Sequence, residues 1–152
     1  MKPRILVSAC LLGEPCRYDG ASKPCKAVIS LSEQVELIPI CPEVLGGLPT
    51  PRIPCEMQNE KVVRRDGMDL TKAYENGAKA ALKLAKDNQV ICAILKNKSP
   101  SCGKIRYDGS FTRTLTEKPG ITTALFYENG IRVFSESEIE GSPEFKMLIE
   151  KR

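Results

Sequence analysis

The 152-residue chain contains no histidine and no tryptophan, and only 5% of its residues are aromatic. Without histidine there is no Cys-His nucleophile pair, no Ser-His-Asp triad, no mixed Cys/His zinc site and no His-ligated haem. Any general base must be a carboxylate, a lysine, a tyrosine or a thiolate. With four Tyr and four Phe in all, a base-stacking platform has to be built from very few rings. A Lys/Arg block and an aromatic-basic stripe are also missing, and the net charge is a mild +4. No nucleic-acid partner is therefore expected, while a small polar or anionic ligand remains open. No apolar run approaches the roughly 18–20 residues of a membrane span. The first run follows Met1-Lys2-Pro3-Arg4 directly and falls short of the about 7–15 residues of a signal-peptide core. A cytoplasmic protein with reduced thiols and no membrane partner is the expectation.

Cysteine, by contrast, is plentiful. There are seven, an odd number that suits metal ligation or thiol chemistry better than a complete disulfide set. Three stand just past short apolar runs: Cys10 after residues 5–9, Cys41 after 35–40, and Cys102 after 90–95 across the bridge 96–101. If those runs are parallel neighbours in one sheet, their carboxyl ends share the rim where open α/β sheets bind ligands. Sequence-distant thiols then converge, as in a soft-metal or iron–sulfur site. The plainer alternative is three small buried hydrophobes at strand ends.

Along the chain, strand-like and helical patterns alternate. Residues 5–9, 35–40, 90–95 and 131–134 read as strands, with a shorter strand and turn over 61–67. The clearest helix spans about 70–88, with Leu70, Ala73, Tyr74, Gly77, Ala80, Ala81 and Leu84 at helical spacing and Asp69 as its cap. Shorter helices are expected over 26–31, capped by Ser22, over 123–126 after Gly120, and from Ser142-Pro143-Glu144 onward. Residues 46–54 carry too much Gly and Pro for regular structure. The fold class is α/β, three-layered and Rossmann-like, with a mainly parallel sheet flanked by helices. One domain over residues 1–152 is expected.

One internal echo remains. Arg17-Tyr18-Asp19-Gly20 resembles Arg106-Tyr107-Asp108-Gly109, and each follows a cysteine by a few residues. Asp-Gly is a turn signal, so these are either two unrelated turns or two similar loops facing each other across one site. Asp19 and Asp108 read as turn formers.

Five blocks in order carry a resemblance. Ser8-Ala9-Cys10-Leu11-Leu12-Gly13 with Arg17-Tyr18-Asp19-Gly20, Cys41-Pro42-Glu43, Gly47-Leu48-Pro49-Thr50-Pro51-Arg52 and Ser99-Pro100-Ser101-Cys102-Gly103 resemble the bacterial thiouracil desulfidase family. The resemblance implies an oxygen-sensitive 4Fe–4S cluster held by Cys10, Cys41 and Cys102, with one iron open to the sulfur of a thiocarbonyl substrate. Thiolates suit such clusters, and a three-cysteine set leaves a position free. Glu43, two residues past a ligand, is the candidate base for a water, and Ser101 beside Cys102 the candidate hydroxyl. Ser99, Arg52 and the backbone at Gly13 are candidate substrate contacts. Cys16 is a fourth ligand, a sulfur relay or an inert thiol. Cys92 reads as core, and Cys25 and Cys55 as structural or incidental. Lys96 and Lys98 either offset the cluster charge or are simply solvated. The expected function is removal of sulfur from 2-thiouracil or another thionucleobase. A sulfur carrier acting on thiolated nucleosides is one alternative. A non-catalytic metal module, with a four-cysteine zinc site or a redox-sensing cluster, is the other.

Overall fold

The computed structural model describes residues 2–150. In chain order its elements are β1 (Arg4–Ser8), α1 (Lys26–Ile29), β2 (Glu36–Ile40), α2 (Pro42–Leu45), β3 (Cys55–Gln58), β4 (Lys61–Arg64), α3 (Thr71–Asp87), β5 (Cys92–Leu95), β6 (Arg106–Tyr107), β7 (Leu115–Thr116), α4 (Ile121–Glu128), β8 (Val133–Ser135) and α5 (Pro143–Glu150). Single tighter turns of helix occupy Ala9–Leu12, Ser30–Glu33 and Glu136–Glu138.

The four apolar runs form one parallel sheet in the order β2-β1-β5-β8. Their uninterrupted apolar character follows from coverage on both faces. Ile5 and Val7 of β1 pack with Val28 of α1, Phe134 and Phe145 of α5. Leu6, pointing the other way, packs with Ala81 and Ala85 of α3 and Phe126 of α4. This is the three-layer α/β arrangement that the alternating pattern predicts.

Several details differ from the sequence pattern. The cap position of α3 is Leu70 rather than Asp69, although Asp69 Oδ1 still accepts the Thr71 N–H at 2.9 Å. Ser22 does not cap α1; Cys25 stands there without a side-chain bond. The last strand starts two residues later than its apolar run, at Val133. Two antiparallel pairs, β3–β4 and β6–β7, form separate two-stranded sheets beside the parallel one. Of these only β4 is evident beforehand, because two-residue strands carry no readable period and β3 emerges directly from the Pro-rich segment.

The tightest packing lies between α2 and α3. A Cβ at Gly77 would collide with the Pro42 carbonyl oxygen, and one at Gly46 with the Ala73 carbonyl oxygen. The two backbones therefore touch directly, and only glycine permits it. This contact seats α2, which carries Glu43, against the long helix. Gly77→Ala should lower stability by about 1–3 kcal/mol through overpacking, outweighing the roughly 1 kcal/mol that alanine gains in helix propensity. Thermal unfolding followed by circular dichroism would register a fall of about 2–4 °C per kcal/mol; an unchanged or raised midpoint would show that α2 can move aside.

Candidate functional site

The carboxyl ends of β1, β2 and β5 open onto a cavity of about 350 Å³ lined by Cys10, Cys41 and Cys102, with Cys16 and Cys55 also in its wall. Cys10 sits in the tight turn that follows β1, and Cys41 occupies the cap position of α2 with Pro42 first in the helix. Cys102 lies in the loop beyond β5. All seven cysteines are free thiols. Among the described residues, no three His, Cys, Asp or Glu side chains are arranged to hold a single metal ion. A purely thiol donor set, delivered from three separate strand ends, suits an iron–sulfur cluster, whereas a closed mononuclear zinc site would need a fourth ligand beside them.

Cys16 is close to two of these thiols. Its hydrogen bond to Cys10 pushes its thiol up to about 11, although one from Cys41 works the other way. The bond to Cys16, followed by burial, raises Cys41 well above its ordinary range. Burial raises Cys102, with the Ser8 hydroxyl opposing it. Without metal Cys16, Cys41 and Cys102 hold their protons at neutral pH, so a metal bound by Cys41 and Cys102 must release theirs.

Three side chains hold Glu43 in the cavity wall. Its Oε2 accepts from Tyr74 Oη at 2.7 Å and from Arg52 Nε at 3.2 Å. Its Oε1 receives only a long contact of 3.5 Å from Ser99 Oγ, leaving that oxygen the freer of the two. Burial first, then the Glu43 charge, holds the Tyr74 hydroxyl far above its usual value, so it remains a donor. Arg52 spends its other nitrogens on the carbonyls of Pro49 and Cys16 and on Thr50 Oγ1. It therefore pairs the acid and ties two loops together, and each of its three nitrogens is engaged within the protein.

The expected site residues divide. Glu43, Arg52, Ser99 and the three strand-end cysteines line the cavity together. Ser99 Oγ accepts the N–H groups of Ser101 and Cys102 at 3.0 and 3.1 Å, which leaves its own proton for Glu43. Ser101 does not reach the cavity: it is fully buried, with Oγ 2.7 Å from Thr122 Oγ1. Gly13 is absent from the lining too; its φ of 101° serves to end the turn that holds Cys10. Cys92 is core at 0% exposure, as expected. Cys55, by contrast, reaches the cavity wall beside Tyr74.

Sequence reasoning also assigns Tyr74 wholly to the apolar face of α3. A buried tyrosine needs a partner for its hydroxyl, and that is the signal in the sequence that could have marked it. Ser8 is a second omission: its Oγ accepts the Lys96 N–H at 2.9 Å. Lys96 and Lys98 both line the cavity, whose wall carries seven Lys and Arg against two carboxylates, Glu43 and Glu56. That excess opposes the charge that a set of thiolates brings together. The Glu43–Arg52 pair is nearly shielded, at 13% and 6% side-chain exposure. Arg52→Met should therefore cost about 3–5 kcal/mol by stranding the acid, against about 1.5–3 kcal/mol for Tyr74→Phe. Urea unfolding of the two variants tests that ranking; the reverse order would mean that Tyr74, not Arg52, carries the carboxylate.

Comparison with known proteins places this arrangement. A protein of Bacillus subtilis (strain 168), YbbK, whose activity is uncharacterized, is 38% identical over 146 residues, spanning 89% of this chain and 97% of its own. The solved structure of the 4Fe–4S-dependent thiouracil desulfidase TudS superposes with a TM-score of 0.90 at 43% identity, covering 99% of this chain and 100% of that one. Residues 5–138 match the 2-thiouracil desulfurase family, and the chain belongs to that family.

Proposed function

We propose that this protein is an iron–sulfur-dependent desulfidase that takes sulfur from 2-thiouracil or another thionucleobase. In this reading Cys10, Cys41 and Cys102 hold a 4Fe–4S cluster and leave one iron without a protein ligand. The observation that carries the reading is the meeting of three strand-end thiols and a braced carboxylate in one cavity of small-molecule size. The similar TudS structure, a 4Fe–4S-dependent thiouracil desulfidase, supports the same choice of cofactor and substrate. When bound, the cluster supplies a Lewis-acidic iron with affinity for a soft thiocarbonyl sulfur.

The chain's own residues then have defined tasks. Glu43 takes a proton from a water through Oε1, because Oε2 is already held by Tyr74 and Arg52. Ser99 steadies Oε1 and can hand its hydroxyl to a substrate atom; it takes over the part expected of Ser101, whose Oγ is committed to Thr122. Arg52 fixes the carboxylate rather than the substrate. Cys16 stays outside the ligand set.

Protein prepared without oxygen should contain about four iron and four sulfide per chain. Cys10→Ser, Cys41→Ser and Cys102→Ser should each lose most of the iron, whereas Cys16→Ser should keep it together with activity on 2-thiouracil. Loss of the metal in Cys16→Ser, or zinc in place of iron in the unaltered protein, would favour the four-cysteine module instead. Glu43→Gln should keep the cluster and lower kcat by about 10²–10⁴-fold; full activity would remove Glu43 from the mechanism.

A further inference from the structure

The tyrosines of the two Tyr-Asp-Gly segments that echo each other in the sequence line the same cavity. The chain has four tyrosines, and Tyr18, Tyr74 and Tyr107 line its wall, while no phenylalanine does. Tyr74 is occupied with Glu43. That leaves Tyr18 and Tyr107, each the second residue of its echo.

The two turns are built alike. Asp19 Oδ1 accepts the Ala21 N–H at 3.0 Å, and Asp108 Oδ1 accepts the Ser110 N–H at 2.9 Å. The glycine after each aspartate is left-handed, with φ of 76° at Gly20 and 97° at Gly109. Each tyrosine also carries an arginine over one ring face: Arg17 lies 5.8 Å from the Tyr18 centroid, and Arg113 lies 5.6 Å from that of Tyr107. A ring has two faces, so the guanidinium orients each tyrosine and leaves the opposite face for another planar group.

Both rings stand on fixed backbone. The Tyr18 carbonyl accepts the Arg52 N–H at 2.6 Å, joining that turn to the residue that braces Glu43. Tyr107 belongs to the β6–β7 pair, and the following turn is held from below by Glu56, whose Oε1 accepts the N–H groups of Gly109 at 3.0 Å and Phe111 at 3.2 Å. The backbone that carries each ring is thus held before a ligand arrives, which lowers the cost of binding.

We infer that Tyr18 and Tyr107 form an aromatic clamp that grips the flat heterocycle of the substrate by its faces and so sets which ring compounds enter. The inference rests on the desulfidase reading for the identity of the ring. Stacking on a face is tolerant of ring substituents because every base has a π-face. The clamp therefore selects for a planar ring, and the position of the sulfur is left to the groups around the cysteines.

The test uses anaerobically prepared holoenzyme and four variants: Tyr18→Ala, Tyr18→Phe, Tyr107→Ala and Tyr107→Phe. The readouts are KM and kcat for 2-thiouracil and the Ki of uracil, which has the ring but no sulfur. Each alanine variant should raise KM and Ki by about tenfold with kcat within about twofold and iron content unchanged. Each phenylalanine variant should match the wild type. Unchanged KM and Ki in both alanine variants would overturn the clamp. Equal losses in the phenylalanine variants would overturn it as well, since the hydroxyls and not the ring faces would then be the contacts. If the wild type leaves 2-thiouracil intact, the desulfidase reading fails on its own. Equilibrium dialysis of 2-thiouracil against the same variants then decides the clamp separately: binding weakened by alanine alone supports it, and equal binding by all five proteins overturns it.

Discussion

The site depends on one constraint, the unbroken parallel register of three strands. Val7 lies opposite Pro39 of β2 on one side and Ile94 of β5 on the other, so the three carboxyl ends finish level. Chain leaving each strand must turn at the same rim, which brings together Cys10 and Cys41 just beyond β1 and β2 and Cys102 across the bridge 96–101 after β5. A slip of one residue in β1 would send Ile5 and Val7 to the face now occupied by Leu6 and exchange the two core layers. Core packing thus fixes the register, and the register fixes the thiols. A donor set built on strand ends is also held more firmly than one built on free loops.

The electrostatics around the rim suit the metal-bound state proposed for the thiols. As protonated groups in a half-shielded cavity they need no counter-charge; as thiolates they do. The wall accordingly holds seven cationic side chains, and one of its two carboxylates is neutralised by its own arginine. Arg52 and Tyr74 both bind Glu43 through Oε2, so one carboxylate oxygen is held on the protein side. The backbone contact of Gly46 and Gly77 matters here too, since it brings α2 close enough to α3 for Tyr74 to reach Glu43 at all.

The sheet and the cysteines were legible because both leave a pattern on contiguous residues: apolar runs of strand length, each with a thiol just beyond it. The long helix was legible for the same reason, its apolar face recurring at 3.6-residue spacing. Ser101 was chosen over Ser99 on adjacency to Cys102, and adjacency is a poor guide in a tight turn, where neighbouring side chains point apart. Ser101 turns inward to Thr122, while Ser99 takes two N–H groups and faces Glu43. Tyr74 and Cys55 were missed because their importance comes from contacts across 31 residues of chain in the first case and from a strand hidden behind prolines in the second. Gly13 was assigned to substrate for its lack of a side chain, but that freedom is spent on a left-handed turn.

The wall away from the cysteines solves a different problem. Residues 109–113 include three left-handed positions, Gly109, Phe111 and Arg113, a conformation that costs energy for the two that carry side chains. Something must over-determine so irregular a loop. From inside, the buried carboxylate of Glu56 takes two of its N–H groups. From outside, the hydroxyls of Ser110, Thr112 and Thr114 run in a hydrogen-bonded row that starts at Asp108. A buried acid is expensive unless its oxygens are well supplied with donors, and these two N–H groups supply Glu56 while fixing the loop between Tyr107 and Arg113. In the proposed reading the rigid sheet sets where sulfur is held, and this reinforced loop sets what shape of molecule is presented to it.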